Sequence, residues 1–211
     1  MNADCLKLTI YFGERDRTPQ GFLADALSAT YARHRLRTSL VMRGTEGFGI
    51  KHHLHTDRLL TLSEDLPLVS VAVDRRDRIE AALGDVDQLE FDGLVTLERA
   101  TMLTGPVRQG ELPESTKLTV YVGRHERAGG RPAYQAVVEL LHRRGLAGAT
   151  VLLGVDGTAH GERRRARFFA ANTRIPLMVI AVGDGGLIAE LLPELDRLLD
   201  RPLITLERVQ V

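Results

Sequence analysis

The chain has 211 residues, 44% hydrophobic and 27% charged, which allows two cores of about a hundred residues each and argues against wholesale disorder. The 28 basic residues balance the 28 acidic ones, so no global field draws the protein to nucleic acid or anionic lipid. A lone cysteine, Cys5, rules out an intrachain disulfide, no apolar run approaches the ~20 residues that span a bilayer, and the start lacks a signal-peptide layout; a cytoplasmic protein is expected.

Alternation predicts a first strand over Leu6–Phe12, with Leu8, Ile10 and Phe12 on one face. A helix follows from about Gln20 to His34, where Leu23, Ala26, Leu27, Thr30 and Tyr31 form one stripe. Strands are predicted over Ser39–Arg43 and over Leu68–Asp74, the latter with Val69, Val71 and Val73 alternating. A second helix begins near Arg75, with Ile79, Ala82, Leu83 and Val86 as its stripe, and a fourth strand covers Leu94–Arg99.

The same order then recurs. KLTIYFGERDR from residue 7 lies over KLTVYVGRHER from residue 117, with Lys7/Lys117, Leu8/Leu118, Thr9/Thr119, Tyr11/Tyr121, Gly13/Gly123 and Arg17/Arg127 identical. The register holds to Gly47/Gly157, slips by one, resumes at Pro67/Pro176 and closes with LVTLER (94–99) over LITLER (203–208). The second copy offers a helix with Tyr134, Val137, Val138 and Leu141, strands at Ala149–Leu153, Leu177–Val182 and Leu203–Val209, and a helix with Ile188, Leu191, Leu192 and Leu195. Gly84 and Pro193 fall at matching places in the second helices, where a kink or break is expected. The Gly- and Pro-rich stretch 105–115 separates the copies, giving a module at 1–103, a linker at 104–115 and a module at 116–211.

The order β-α-β-β-α-β is that of a ferredoxin-like unit. The expected fold class is therefore α+β, with two tandem modules, each an antiparallel four-stranded sheet carrying two helices on one face. The other face would carry Thr9, Tyr11, Ser70, Thr96 and Glu98. Such a face is expected to be half buried by another copy, so a homo-oligomer is expected, and tandem linkage raises the local concentration of one module for the other.

Three segments carry candidate chemistry. In Arg43-Gly44-Thr45-Glu46-Gly47-Phe48-Gly49-Ile50-Lys51, three glycines let the backbone turn and present N–H groups to an anion, with Lys51 as a charge; the plain alternative is a Gly-rich turn leading into a loose hairpin. In His52-His53-Leu54-His55, an extended backbone would point His53 and His55 the same way for a metal, with Asp57 or Glu64 as third ligand; anion binding or pH sensing is equally open, as are loop histidines with no metal. Arg163, Arg164, Arg165 and Arg167 of the second copy would clamp a phosphate or an acidic partner, or form a solvated loop. Enzyme motifs are lacking: there is no Gly-x-Ser-x-Gly, HExxH, Walker loop or paired cysteine, and Cys5 and the recurring Glu98 and Glu207 have no acid–base context. An RNA-recognition module is not supported either, since LVSVAVD (68–74) lacks the stacking aromatics.

The GTEGFG run, SEDLP at 63–67, the LVTLE strand and the KLTIYFGE opening together resemble domain of unknown function 190, a PII-like family. The resemblance covers all of copy one and most of copy two. It implies a Gly-Phe-Gly turn at 47–49 and a T-loop over 50–66 that returns through Leu66-Pro67. In PII proteins trimers bind small effectors, often adenine nucleotides, in clefts between subunits at the T-loop base, and binding reshapes the T-loop that grips a target. Residues implied at the effector site are Arg43, Gly44, Glu46, Gly47, Phe48, Gly49, Lys51, Asp92 and Gly93, with His52, Arg58 and the copy-two arginines toward a partner. Where PII proteins hold phosphates before strand four, this chain has acidic Glu90-Phe91-Asp92-Gly93, and copy two has Asp200-Arg201-Pro202. The expected function is non-enzymatic signal transduction. A small anionic effector would act through module one on a target protein, such as a membrane transporter or an enzyme. A ligand-free adaptor and a metal-binding form using the loop histidines are the alternatives. Three tandem chains would supply six modules, enough for two stacked trimeric rings or one decorated ring.

Overall fold

The computed structural model describes residues 3–48, 54–56, 66–108, 110–159, 162–165, 176–200 and 202–211. The first half runs β1 (Ala3–Gly13), a small hairpin of β2 (Arg17–Thr18) and β3 (Gly21–Phe22), α1 (Leu23–Arg33), β4 (Thr38–Arg43), β5 (Glu46–Phe48), β6 (Leu54–Thr56), β7 (Pro67–Arg75), α2 (Arg76–Val86), a 3-10 turn (Asp87–Leu89) and β8 (Leu94–Met102). The second half repeats it as β9 (Ser115–Gly123), β10 (Arg127–Ala128), β11 (Arg131–Pro132), α3 (Ala133–Arg143), β12 (Ala149–Leu153), β13 (Asp156–Ala159), β14 (Glu162–Arg165), β15 (Pro176–Asp184), α4 (Gly185–Leu198) and β16 (Leu203–Arg208). The chain is thus an α+β protein of two tandem halves, with mostly antiparallel sheet and four long helices among the described residues.

Each half has its own core between sheet and helices. Leu6, Leu8, Ile10 and Phe12 of β1 pack with Leu23, Leu27 and Tyr31 of α1 and Ile79, Ala82 and Val86 of α2. The counterparts are Leu118, Val120 and Val122 of β9, Ala133, Val137, Leu140 and Leu141 of α3, and Ile188, Leu191, Leu192 and Leu195 of α4. The stripe of α3 therefore runs through Ala133, Ala136, Val137, Leu140 and Leu141, with Tyr134 and Val138 only at its margin, a rotation from the sequence expectation. Helix α1 starts at Leu23 rather than Gln20, because Gly21 (φ 144°) spends its conformational freedom on the β2–β3 hairpin. No helix breaks at Gly84 or Pro193: α2 and α4 run through both, and the buried leucines flanking Pro193 hold the turn that lacks its N–H. Asp184 caps α4 by accepting a hydrogen bond from Leu187 N–H at 2.9 Å. Helices α1 and α3 end alike, with Leu36 N–H bonded to Tyr31 O and Leu146 N–H to Leu141 O. The left-handed residue in these caps is Gly145 in one and Arg35 (φ 50°) in the other.

Within each half the strand order is four-one-three-two: β8-β1-β7-β4 and β16-β9-β15-β12. These are not two separate four-stranded sheets. They join through β8 and β16, at Met102↔Thr205 and Thr101↔Leu206, and β13 of the second half adds onto β4 of the first. The result is one ten-stranded sheet, β12-β15-β9-β16-β8-β1-β7-β4-β13-β14, whose two end regions are consecutive in the chain. The sheet faces turned away from the helices meet in a third core of Cys5, Leu40, Val71, Val73, Ala100, Met102, Tyr121 and Met178. So part of the cover expected from another copy comes from the second half of the same chain. Ser70 does not belong to that face. It stands opposite Ile10, so the pleat turns it to the helices, where its hydroxyl donates to Tyr31 Oη at 3.2 Å. The segment joining the halves is packed: Leu103, Val107 and Leu112 lie against the second core, and Leu103 N–H donates to Ile204 O.

Candidate functional site

The junction between the halves is held by hydrogen bonds of several kinds. Strand β13 pairs with β4 from Asp156↔Val41 to Ala159↔Thr38, and Val155 N–H donates to Val41 O at 2.6 Å. Gly157 makes this approach possible, since a Cβ there would run into Ser39 O, Leu40 Cα and Pro176 Cγ. The Ser28 hydroxyl of α1 donates to Asp156 Oδ2 at 3.2 Å.

Beside this junction lies a cleft of about 270 Å³. One wall is the start of β4, Arg37 and Thr38; the other is the end of β9 (Tyr121, Val122, Gly123), the turn residue Glu126, Pro176 opening β15, and Asp200, Pro202 and Leu203 at β16. The repeat explains the second wall: the end of strand one and the starts of strands three and four converge in each half, as the antiparallel pairing requires. Glu126 Oε1 accepts the Gly123 N–H at 2.9 Å, as Asp16 Oδ2 accepts Gly13 N–H at 2.7 Å in the other half. Arg37 is fixed through its backbone, whose N–H donates to Asp74 Oδ2 at 2.9 Å. Among the described residues its guanidinium makes one hydrogen bond, to Met102 Sδ at 3.1 Å, and a thioether is a weak acceptor. The cleft thus has a cation whose binding capacity is mostly unspent.

Deeper in the junction is an ion network built from the repeat. Lys7 stands opposite Glu98 on β1 and β8, and Lys117 opposite Glu207 on β9 and β16. Lys7 Nζ meets Glu98 Oε2 at 2.7 Å and reaches across to Glu207 Oε2 at 2.9 Å, while Lys117 Nζ lies 2.6 Å from the same oxygen. Burial disfavours the Lys7 charge, but the two carboxylates outweigh it and hold its pKa above the ordinary lysine value. Tyr121 Oη, Thr205 Oγ1 and Glu207 Oε1 are buried nearby without a hydrogen-bond partner among the described residues. Burial likewise pushes the Tyr121 phenol upward. Cys5 Sγ faces Ala100 O at 3.2 Å, and burial, with acidic neighbours, pushes the thiol up to about 12, which leaves it inert as a nucleophile at neutral pH.

The residues singled out in the sequence fall as follows. Arg43 ends β4 and pairs with Glu14 at 2.8 Å. Gly44 N–H donates to Pro67 O, and a Cβ at Gly44 would press on that proline ring. Gly93 packs against the Phe91 ring and Tyr11 O, with the exposed Asp92 beside it. Glu46, Gly47 and Phe48 form β5, opposite Thr56, His55 and Leu54 of β6. Arg163, Arg164 and Arg165 lie on β14 opposite Thr158, Gly157 and Asp156. Gly49, Lys51, His52, His53, Asp57, Arg58, Glu64 and Arg167 lie outside the described residues. No group of three His, Cys, Asp or Glu side chains converges among the described residues. The structure thus draws Arg43 and Gly44 together with Glu14 and Pro67 in the first half, while the described cleft sits in the matching place of the second. Sequence reasoning missed Arg37. No motif surrounds it, and its role as a wall residue comes from the other half of the chain; the one available signal was that its counterpart in the second copy is Ala147.

Among solved structures, the chain resembles a candidate glycine cleavage system transcriptional repressor at 13% identity and a TM-score of 0.28, covering 99% of this chain and 98% of that one. It also resembles aspartate kinase from Synechocystis at 11% identity and a TM-score of 0.29, covering 98% of this chain and 44% of that one. Scores this low carry no argument about function. The family profile DUF190, described as Uncharacterized ACR, COG1993, matches twice, over residues 5–102 and 115–211. The chain is a tandem member of the DUF190 family.

Proposed function

We propose that this protein is a non-catalytic regulatory protein of the PII-like kind. Its junction cleft takes a small anionic effector, and the effector's presence is passed to a partner protein through the segment between β14 and β15. The observation that carries the reading is the make-up of the cleft. Its cation, Arg37, whose guanidinium is engaged only by the weak acceptor Met102 Sδ among the described residues, comes from one half, and Pro176, where that segment returns to the sheet, comes from the other. A ligand bridging the two would stabilise the seat of β13 on β4 and so the root of the β13–β14 hairpin. The volume of about 270 Å³ suits a small molecule at the low end of ligand sites. Each half is read as a ferredoxin-like module, with limits near 1–103 and 116–211, in keeping with the strand order β8-β1-β7-β4. The inert Cys5 thiol supports a non-catalytic reading. No helix among the described residues is long and apolar enough to cross a membrane, and a cytoplasmic site of action is part of the proposal.

Thermal shift with adenine nucleotides, cyclic dinucleotides, inorganic phosphate and bicarbonate tests this. A ligand present at a hundredfold its Kd stabilises the folded chain by about 2.7 kcal/mol, and for a protein of this size that raises Tm by roughly 5–10 °C. Arg37→Ala should remove the shift while leaving the ligand-free Tm nearly unchanged. If every ligand leaves Tm where it was, the sensor reading fails.

A further inference from the structure

The two halves repeat each other, yet the contacts they make with one another are satisfied on one side only. The outer edge of β4 is covered by β13, and Thr38–Val41 are buried. Its counterpart β12 ends the sheet; among the described residues no strand lies on its outer edge, Ala149 and Thr150 are exposed, and Leu153 is 53% exposed. The cross-strand pair Leu203↔Tyr121 lies in the shared core, with Tyr121 only 5% exposed. Its counterpart Leu94↔Tyr11 stands open, Leu94 at 58% and Tyr11 at 44%. The strand that would be the partner of β12 by analogy is β5. It corresponds to β13 in the repeat and keeps Gly47 where β13 has Gly157, the residue without which β13 could not reach β4. Within this chain β5 pairs with β6 and not with β12.

We infer that β5 of one chain adds onto the open β12 edge of a second copy, in the register Glu46↔Val151, Gly47↔Thr150, Phe48↔Ala149. The contact repeats between chains the interface that β13 and β4 already make within one. It brings the second copy's residues 147–148 over Tyr11, Gly13 and Leu94, as Arg37 and Thr38 lie over Tyr121, Gly123 and Leu203, and thereby closes the matching crevice of the first half. An unpaired strand edge such as that of β12 is a surface that soluble proteins cover, and so are the exposed Leu94, Val95 and Leu97 of β8, which stand beside the crevice this contact closes on the other chain. The contact is heterologous, so it satisfies every edge only when the chains close into a ring; two chains are the smallest such set. The inference rests on the repeat and the edges alone and does not depend on what the cleft binds.

Light scattering of the full chain at 10–100 µM is the first measurement, and a mass above one chain is expected. Glu46→Cys/Val151→Cys, made in a Cys5→Ala background, should form disulfides between chains on oxidation. Glu46→Cys/Thr150→Cys, one residue out of register, should link at least tenfold more slowly. Leu94→Glu changes a side chain that is exposed in the single chain; it should leave the circular dichroism spectrum intact and reduce the assembly to single chains. A parent of single-chain mass, disulfides confined within one chain, equal linking in both registers, or an assembly that survives Leu94→Glu would each overturn the inference.

Discussion

Replacing Lys7 with Met keeps the aliphatic stem and removes one charge from the junction network. The loss can be worked from two contacts. The first, to Glu98 at 2.7 Å, involves a carboxylate that is 46% exposed, so solvent screens it and it contributes less than about 1 kcal/mol. The second, to Glu207 at 2.9 Å, joins a half-buried lysine to a buried carboxylate, and a hydrogen bond of this charged kind contributes about 1.5–3 kcal/mol. Glu207 keeps Lys117 as a counter-charge, which spares the full cost of an orphaned buried carboxylate. The expected destabilisation is about 2–3 kcal/mol, a fall in Tm of roughly 4–12 °C, read from urea and thermal unfolding at pH 7. Combining Lys7→Met with Glu207→Gln should cost less than the two single changes added together, because the pair is broken only once. The pH dependence has a definite sign. The folded pKa of Lys7 lies above the ordinary 10.5, so its contribution is complete below pH 10.5 and fades as pH climbs from there through the folded value. The gap between parent and variant should therefore be constant from pH 7 to 10 and narrow above it. A Lys7→Met protein within about 0.5 kcal/mol of the parent at pH 7 would refute the reasoning, because the network would then hold nothing together.

Other substitutions test separate parts of the fold. Gly157→Val drives a side chain into Ser39 O and Leu40 Cα, so β13 should leave β4 at a cost of about 3 kcal/mol, with hydrogen exchange across Ser39–Val41 accelerating by at least about tenfold. Arg35→Gly relieves a left-handed residue at the end of α1 that the second half already fills with Gly145; a gain of about 0.5–1 kcal/mol in urea unfolding is expected, and no gain would mean the cap is unstrained. Tyr31→Phe deletes the 3.2 Å bond to Ser70 inside the first core and should cost about 1 kcal/mol by the same assay. Cys5 should resist iodoacetamide in the native protein at pH 8 and react once urea unfolds it; fast native labelling would contradict both its burial and its raised pKa.

Much of this was legible in the sequence because the signals are local and doubled. Leu8, Ile10 and Phe12 alternate and all reach the first core, and the α1 stripe through Leu23, Leu27, Thr30 and Tyr31 is buried as its spacing predicts. The stripe of α3 is blurred by small residues: Ala133 and Ala136 are buried, but alanine carries little hydrophobic weight beside Tyr134 and Val138. Ser70 deceives for the opposite reason, since polarity suggests the open face while the pleat places it among the helices. Arg43 and Gly44 advertised themselves through the glycine-rich run but do not line the described cleft, whereas Arg37, which does, sits in no motif and gains its position from a partner wall far along the chain.

From the sequence alone come the duplication, the order of elements and the buried face of most of them. These follow because a hydrophobic period of two or of about 3.6 is written in the side chains of a single segment. Only the tertiary structure decides that β13 crosses to β4, that β12 ends the sheet among the described residues, and that Arg37 faces Gly123 and Pro176. Edge pairing runs through backbone N–H and C=O groups that every residue but proline carries alike. Its one imprint on the side chains here is a glycine, which cannot say which edge it was kept for.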